Sequence, residues 1–210
     1  MSDFKNINAF IFDFGNVIIN IDFQLMYNKF REYLGKEYEA TIERVQGGDF
    51  FKTVESSVFT AEQMTTMLNQ YGASLTCEQL RESWNALLLD IPRERLELLK
   101  KLAQKYPIYL LSNTNLVHIN TIFNRMEATY GYNPIKQTFT KLYLSYEIGH
   151  IKPSSKIYEY VLDDAELIAE QCLFFDDLQE NLDGAAKLDM QTQLITKEYG
   201  ITEFFAEHKF

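Results

Sequence analysis

Apolar positions along the chain fall into two patterns. Some come in short runs of strand length. Ala9 to Phe12 is an uninterrupted run rich in aromatic and branched side chains, and Ile108 to Ser112, Leu142 to Ser145 and Cys172 to Phe175 are of the same kind. Such runs suit strands buried on both faces of a parallel sheet. Gln191 to Ile195 reads as a last strand. Elsewhere the apolar residues recur at helical spacing. Phe23, Tyr27, Phe30 and Leu34 share one face of a helix closed by Gly35, and Leu96, Leu99 and Leu102 line one that Pro92 starts and that runs to Lys105.

From about residue 20 to 90 only helices are expected. A second helix spans roughly Glu37 to Val45, and Asp49 is expected to cap a short one containing Phe50, Phe51 and Val54. Thr60 with Gln63 forms a capping box, and Thr76 with Gln79 repeats it. Beyond residue 91 strands and helices alternate. One helix is expected from Leu116 to Met126, one capped by Ser154 to Leu162, one over Leu182 to Leu188 and a short one in the tail. Alternation of this kind predicts an α/β fold, a doubly wound parallel sheet. Residues 1–19 and 91–210 would form this core domain. Residues 20–90 would form a helical cap inserted after the first strand.

In open α/β sheets ligands bind at the carboxyl ends of the strands, and here those ends are polar. The first strand ends in Asp13, with Gly15 two residues on. The second ends in Ser112, followed by Asn113, Thr114 and Asn115. After the third comes Lys152, just before Pro153. The fourth ends in Asp176 and Asp177, with Glu180 and Asn181 beyond. Two adjacent carboxylates after a buried strand repel unless a cation joins them. Hard oxygen ligands suit Mg²⁺. A hydroxyl, neighbouring backbone N–H groups and an ammonium suit phosphoryl oxygens. A carboxylate between metal and phosphate can attack phosphorus.

Taken together, Asp13-Phe-Gly-Asn-Val, Leu111-Ser-Asn-Thr-Asn, Lys152-Pro153 and Phe174-Phe-Asp-Asp-Leu-Gln-Glu-Asn resemble the four motifs of the haloacid dehalogenase superfamily, in the branch with a helical cap after the first motif. The likeness spans about Phe10 to Ile195. It is nearest to the small sugar-phosphate phosphatases of that superfamily, including those acting on glucose 1-phosphate. The resemblance implies a Rossmann-like core and a Mg²⁺-dependent phosphatase that forms an aspartyl-phosphate. Asp13 would be the nucleophile and a metal ligand, and the Gly15 backbone carbonyl a further ligand. Ser112 and Asn113 would hold the phosphoryl group, and Lys152 would neutralise it and Asp13. Asp177 would bind the metal directly, and Asp176 directly or through water.

One position departs from the pattern. Most phosphatases of the superfamily carry a second aspartate where this chain has Gly15, and that side chain protonates the leaving oxygen and later activates water. Glycine can do neither, and such help is worth about 10²–10⁴ in rate. His118 or Asn115, close after Ser112, is a candidate to bind or protonate the leaving group. His118 otherwise reads as an exposed helix residue and His150 as loop surface. In the cap, Phe50, Phe51 and Phe59 read as packing, and Glu55 is the polar residue to watch. Two other functions compete. A metal-independent 2-haloacid dehalogenase also lacks the second aspartate, but leaves Asp176 and Asp177 without a purpose. A module that binds a phosphorylated ligand without turnover is supported only by Gly15.

Composition narrows the partners. The 210 residues are 46% hydrophobic and 24% charged, with a net charge of −10. That balance argues against nucleic acid or an anionic membrane and for a small phosphorylated metabolite, with oligomeric state left open. Cys77 and Cys172 fit no zinc spacing, and Cys172 reads as a small apolar residue of a buried strand. The absence of a signal-peptide pattern and of an apolar run near ~18 residues leads to an expectation of a cytoplasmic protein.

Overall fold

A computed structural model describes residues 4–210. Five strands form one sheet in the order β3-β2-β1-β4-β5, with every neighbouring pair parallel: β1 (Ala9–Phe12), β2 (Ile108–Ser112), β3 (Lys141–Leu144), β4 (Cys172–Asp176) and β5 (Gln191–Leu194). The central strand is β1. Phe12 pairs with Leu110 on one side and with Phe175 on the other, so the ends of β1, β2 and β4 lie level.

The central strands β1, β2 and β4 are buried on both faces because each face has its own helical layer, while the edge strands β3 and β5 are partly exposed. Phe10, Phe12, Ile108, Leu110, Leu173 and Phe175 face one layer. This includes α6 (Arg93–Leu102), α7 (Leu116–Tyr130) and, in the tail, α12 (Ile201–Glu207). The alternate residues Ala9, Ile11, Tyr109, Leu111, Cys172 and Phe174 face the other. There they meet α10 (Ser155–Asp164) and α11 (Gln179–Ala186). The period of two along a strand puts successive side chains on opposite faces, so both must be apolar. Cys172 is buried there as a small apolar residue, and both cysteines are free. Among the described residues no helix is long and apolar enough to cross a membrane.

Between β1 and α6 the chain is helical: α1 (Phe23–Leu34), α2 (Tyr38–Gln46), α3 (Phe50–Glu55), α4 (Ala61–Gln70) and α5 (Cys77–Asn85). The two crossings that join these helices to the sheet run side by side. Ile21 pairs antiparallel with Leu88. Asp22 N–H donates to Leu87 O, Leu89 N–H to Asn20 O and Asn20 N–H to Asp90 O, each at 2.9–3.0 Å.

Local expectations fare unevenly. Both capping boxes form, at Thr60 with Gln63 and at Thr76 with Gln79. Asp49 does not cap α3 with its carboxylate, because its backbone (φ −93°, ψ 17°) is near-helical and does not turn the side chain back over the first turn. Ser154 precedes α10 in extended backbone but its hydroxyl makes no capping bond. The buried face of α1 is Met26, Phe30 and Leu34, and Phe23 in the first turn is 52% exposed. α7 continues past Met126 to Tyr130 and ends at Gly131, whose φ of 75° ends the helix in the left-handed region. Two short helices were not foreseen, α8 (Pro134–Thr138) and α9 (Ser145–Ile148), so β3 stops at Leu144. One close approach fixes the loop that carries Lys152. A Cβ on Gly184 of α11 would lie 2.6 Å from the Pro153 carbonyl oxygen, so only glycine lets the helix pack that near.

Candidate active site

The strand ends converge on Lys152. Its side chain is buried, and its ammonium has three N–H donors. They reach Asp13 Oδ1 at 2.6 Å, Asp176 Oδ2 at 2.6 Å and the Leu111 carbonyl oxygen at 3.1 Å. Asp13 is 7% exposed and Asp176 is fully buried. Asp177 stands beside them, and carboxylate oxygens of Asp13, Asp176 and Asp177 lie within 4.8 Å of one another.

Charge does not balance in this cluster. Three carboxylates face one ammonium. Burial pushes the Asp13 carboxyl up to about 7; Lys152 pulls it back, while Asp176 and Asp177 add to the rise. Burial raises Asp177 as well, against a hydrogen bond from Asn16. Lys152 is held above its ordinary value: burial disfavours the ammonium, but Asp13 and Asp176 together outweigh it. The unbalanced donor set of hard oxygens fits a small divalent cation. The three acids differ in what they can offer one. Asp176 Oδ1 accepts from Leu178 N–H and Asn181 Nδ2, both at 2.9 Å, and its Oδ2 is on Lys152. Among the described residues Asp13 Oδ2 has no hydrogen-bond partner. The Gly15 carbonyl accepts from Val17 N–H at 2.7 Å, which leaves it one lone pair.

The loop after β2 is tied to the lysine. Asn113 Nδ2 donates to the Lys152 carbonyl at 3.0 Å, and Lys152 N–H donates to Asn113 Oδ1 at 2.8 Å. The Asn113 side chain therefore positions Lys152, and what this residue can offer a phosphoryl oxygen is its backbone N–H and the second N–H of Nδ2. The buried Ser112 hydroxyl makes no hydrogen bond among the described residues. Thr114 is fastened on both sides to Ser145: its N–H donates to Ser145 Oγ and its carbonyl accepts from it.

Asn16 and Asn181 do work that the sequence did not assign to them. Asn16 sits at φ 55°, a region that asparagine tolerates better than most residues. From there Nδ2 donates to Asp177 Oδ2 at 2.9 Å and Oδ1 accepts from Ile21 N–H. The signal was present in that an asparagine follows a glycine in the turn after Asp13, but the partner lies 161 residues away.

Asn115 and His118 are already engaged with one another and with Trp84. They form a seam with the cap. Asn115 Oδ1 accepts from Trp84 Nε1 at 3.2 Å and from His118 N–H at 3.0 Å, capping α7. The His118 ring stacks on Trp84 with centroids 5.3 Å apart, and Phe51 stacks on the Trp84 ring as well. His118 Nε2 is 3.0 Å from the Trp84 carbonyl, so it carries the proton, and Nδ1 accepts from Asn115 Nδ2 at 3.1 Å. Both ring nitrogens are engaged and the imidazole is neutral. The expectation of an exposed histidine fails because Trp84 of α5 covers the ring, and both its nitrogens are engaged.

Burial lowers His118 to about 4, whereas an ordinary imidazole takes its proton near 6.5. Between those values the unfolded chain binds the extra proton. Stability is therefore whole above pH 6.5 and is lost as pH falls towards 4, by roughly 2–3 kcal/mol from this group. Urea unfolding at pH 7 and pH 4.5 checks it. The wild type should lose that much more than His118→Gln between the two pH values, and equal losses would refute the seam's role.

The chain belongs to the haloacid dehalogenase-like hydrolases, whose family model matches residues 7–189. A D-ribitol-5-phosphate phosphatase of Bacteroides thetaiotaomicron is 28% identical over 189 residues, which cover 90% of each chain. A haloacid dehalogenase family enzyme of the same organism, solved with magnesium and inorganic phosphate, superposes with a TM-score of 0.85 at 29% identity, covering 95% of this chain and 99% of that one. A HAD-like family hydrolase of Porphyromonas gingivalis gives 0.80 at 26% identity, covering 90% of each.

Proposed function

We propose that this chain is a Mg²⁺-dependent phosphatase of small phosphorylated metabolites, sugar or alditol phosphates foremost, that works through an aspartyl-phosphate on Asp13. The observation that carries this reading is the buried group of Asp13, Asp176 and Asp177 around one lysine, with more negative charge than Lys152 can offset. The phosphatase relative and the structure holding magnesium and phosphate support it.

In this reading Asp13 and Asp177 would hold the metal, with Asp176 acting through water because its oxygens are already engaged. The Gly15 carbonyl would complete the protein's share. Bound there, Mg²⁺ would neutralise carboxylate and phosphoryl charge together. Ser112 and the backbone N–H of Asn113 would hold the phosphoryl oxygens, and Lys152 would steady both Asp13 and the transferring group. Asp13 attacks phosphorus, the sugar oxygen leaves, and water then attacks the aspartyl-phosphate to release inorganic phosphate. Residues 20–90 would act as the cap that selects the substrate, hinged at the paired crossings of residues 20–22 and 87–90. Two free thiols suit a reducing compartment such as the cytoplasm.

Phosphate release from a panel of sugar and alditol phosphates and p-nitrophenyl phosphate tests the reading. Turnover should require Mg²⁺ and vanish in EDTA. Mg²⁺ should also raise the unfolding temperature, since binding at a hundred times Kd adds about 2.7 kcal/mol. A protein that gains stability with Mg²⁺ yet releases phosphate from nothing would instead be a binding module, with Gly15 as the reason.

A further inference from the structure

The phosphatase reading leaves one chemical task without a residue. A sugar oxygen leaves poorly as an alkoxide, and water attacks an acyl phosphate faster when a base takes its proton. Gly15 supplies neither. Its surroundings explain why no neighbour on that loop does so. A Cβ there would lie 3.8 Å from Asp13 Oδ2, so the position faces the site, but Ile21 Cδ1 fills the approach at 3.0 Å. Four other polar side chains near the strand ends are committed. Asn16 holds Asp177, Asn113 holds Lys152, and Asn115 and His118 form the seam with Trp84.

An acidic side chain of residues 20–90, Glu55, stands at the end of the helix that packs beside the Lys152 loop. Glu55 is the last residue of α3, and α3 packs on α9, the short helix that leads into the Lys152 loop. Contact there is close: a Cβ on Gly149 would sit 3.9 Å from the Ser56 carbonyl oxygen. Glu55 is half-buried, and among the described residues its carboxylate has no hydrogen-bond or ion-pair partner. Charged groups on the elements packed against α3 are Glu39, Glu43 and Arg44 of α2, Glu62 of α4 and Glu147 of α9. Among charged groups it is Lys152 that acts on Glu55, opposing the effect of burial.

We propose that Glu55 is the general acid and base of this active site, doing from the cap what the side chain missing at Gly15 does elsewhere; this rests on the phosphatase reading. In the first step the Asp13 carboxylate forms a bond to phosphorus while the bond from phosphorus to the sugar oxygen breaks. The Glu55 carboxylic acid gives its proton to that oxygen. In the second step the Glu55 carboxylate takes a proton from water as the water oxygen bonds to phosphorus and the Asp13–phosphorus bond breaks. Inorganic phosphate leaves, and Asp13 and protonated Glu55 are restored. Burial raises the Glu55 carboxyl to about 7, with Lys152 opposing, so both protonation states are accessible near neutral pH.

The test compares wild type and Glu55→Gln, both with Mg²⁺, on an alditol 5-phosphate and on p-nitrophenyl phosphate. The nitrophenolate needs no proton to leave; the alkoxide does. On the alditol phosphate, kcat should fall by about 10²–10⁴ with KM little changed. On p-nitrophenyl phosphate, rapid mixing should show a burst of nitrophenolate stoichiometric with enzyme, then slow turnover as the aspartyl-phosphate waits for water. Overturning results are equal activity of the two proteins, or an equal fall in the nitrophenolate burst and in alditol-phosphate turnover, which marks a structural role. A wild type that releases phosphate from neither substrate overturns the phosphatase reading itself, which separates that failure from a failure of Glu55.

Discussion

Lys152→Met should destabilise the metal-free protein by about 3–5 kcal/mol, the cost of breaking a buried ion cluster by removing one member. Methionine fills much the same volume, so lost packing contributes little. What is lost is the one ammonium that, among the described residues, touches both Asp13 and Asp176, together with its bond to the Leu111 carbonyl. Three acids then face one another with no lysine among them, and protonation or a metal must quiet them. Urea unfolding in EDTA reads the loss directly, and Mg²⁺ should return part of it. A change under about 1 kcal/mol would mean that the cluster relaxes by admitting water, and that its geometry is less constrained than the buried distances imply.

Asp13→Asn should move activity and stability in opposite directions. On the proposed mechanism the variant lacks its nucleophile, and phosphate release should fall by about 10⁴ or more. In EDTA at pH 8, however, the variant should be the more stable protein. The folded state ionises Asp13 only near 7, while the unfolded chain does so near 3.8, so the wild type loses stability as pH rises between those values and is without this share above them. Removing the carboxylate should recover roughly 2–4 kcal/mol. This slope runs against that of His118, so each is measured as a difference between wild type and variant. Added Mg²⁺ should erase the advantage, because the cation favours the carboxylate and not the amide. A variant no more stable than wild type in EDTA would refute the charge imbalance.

What the sequence made readable depended on distance along the chain. Asp13, Ser112 and Asp176–Asp177 end apolar runs, and strand ends in a parallel sheet meet, so their convergence followed from local pattern alone. The crossing residues near 20 and 90 were visible as a change from helices to alternating strands. Side-chain partners across many residues were not. Asn113 stood in a motif beside Ser112, yet its amide is closed on the Lys152 backbone, 39 residues on. His118 sat between apolar neighbours on a helix, and nothing nearby announced that Trp84 would lie flat against it. Phe23 fitted the helical spacing of α1 but sits in its first turn, where solvent replaces the expected contact. Asp49 had the right side chain for a cap and the wrong backbone.

The reciprocal bonds between Asn113 and Lys152 have a thermodynamic consequence. Both loops are ordered when the protein folds, and the ordering entropy is spent once, with no substrate present. In the proposed reaction a phosphoryl group arriving at the sheet would meet a preorganised half-site, so little of its binding energy would go into arranging the lysine. On that proposal, adjustment on binding would be left to the helices of residues 20–90. Substrate preference would then drift with changes in those helices while the charge geometry at the strand ends stayed the same.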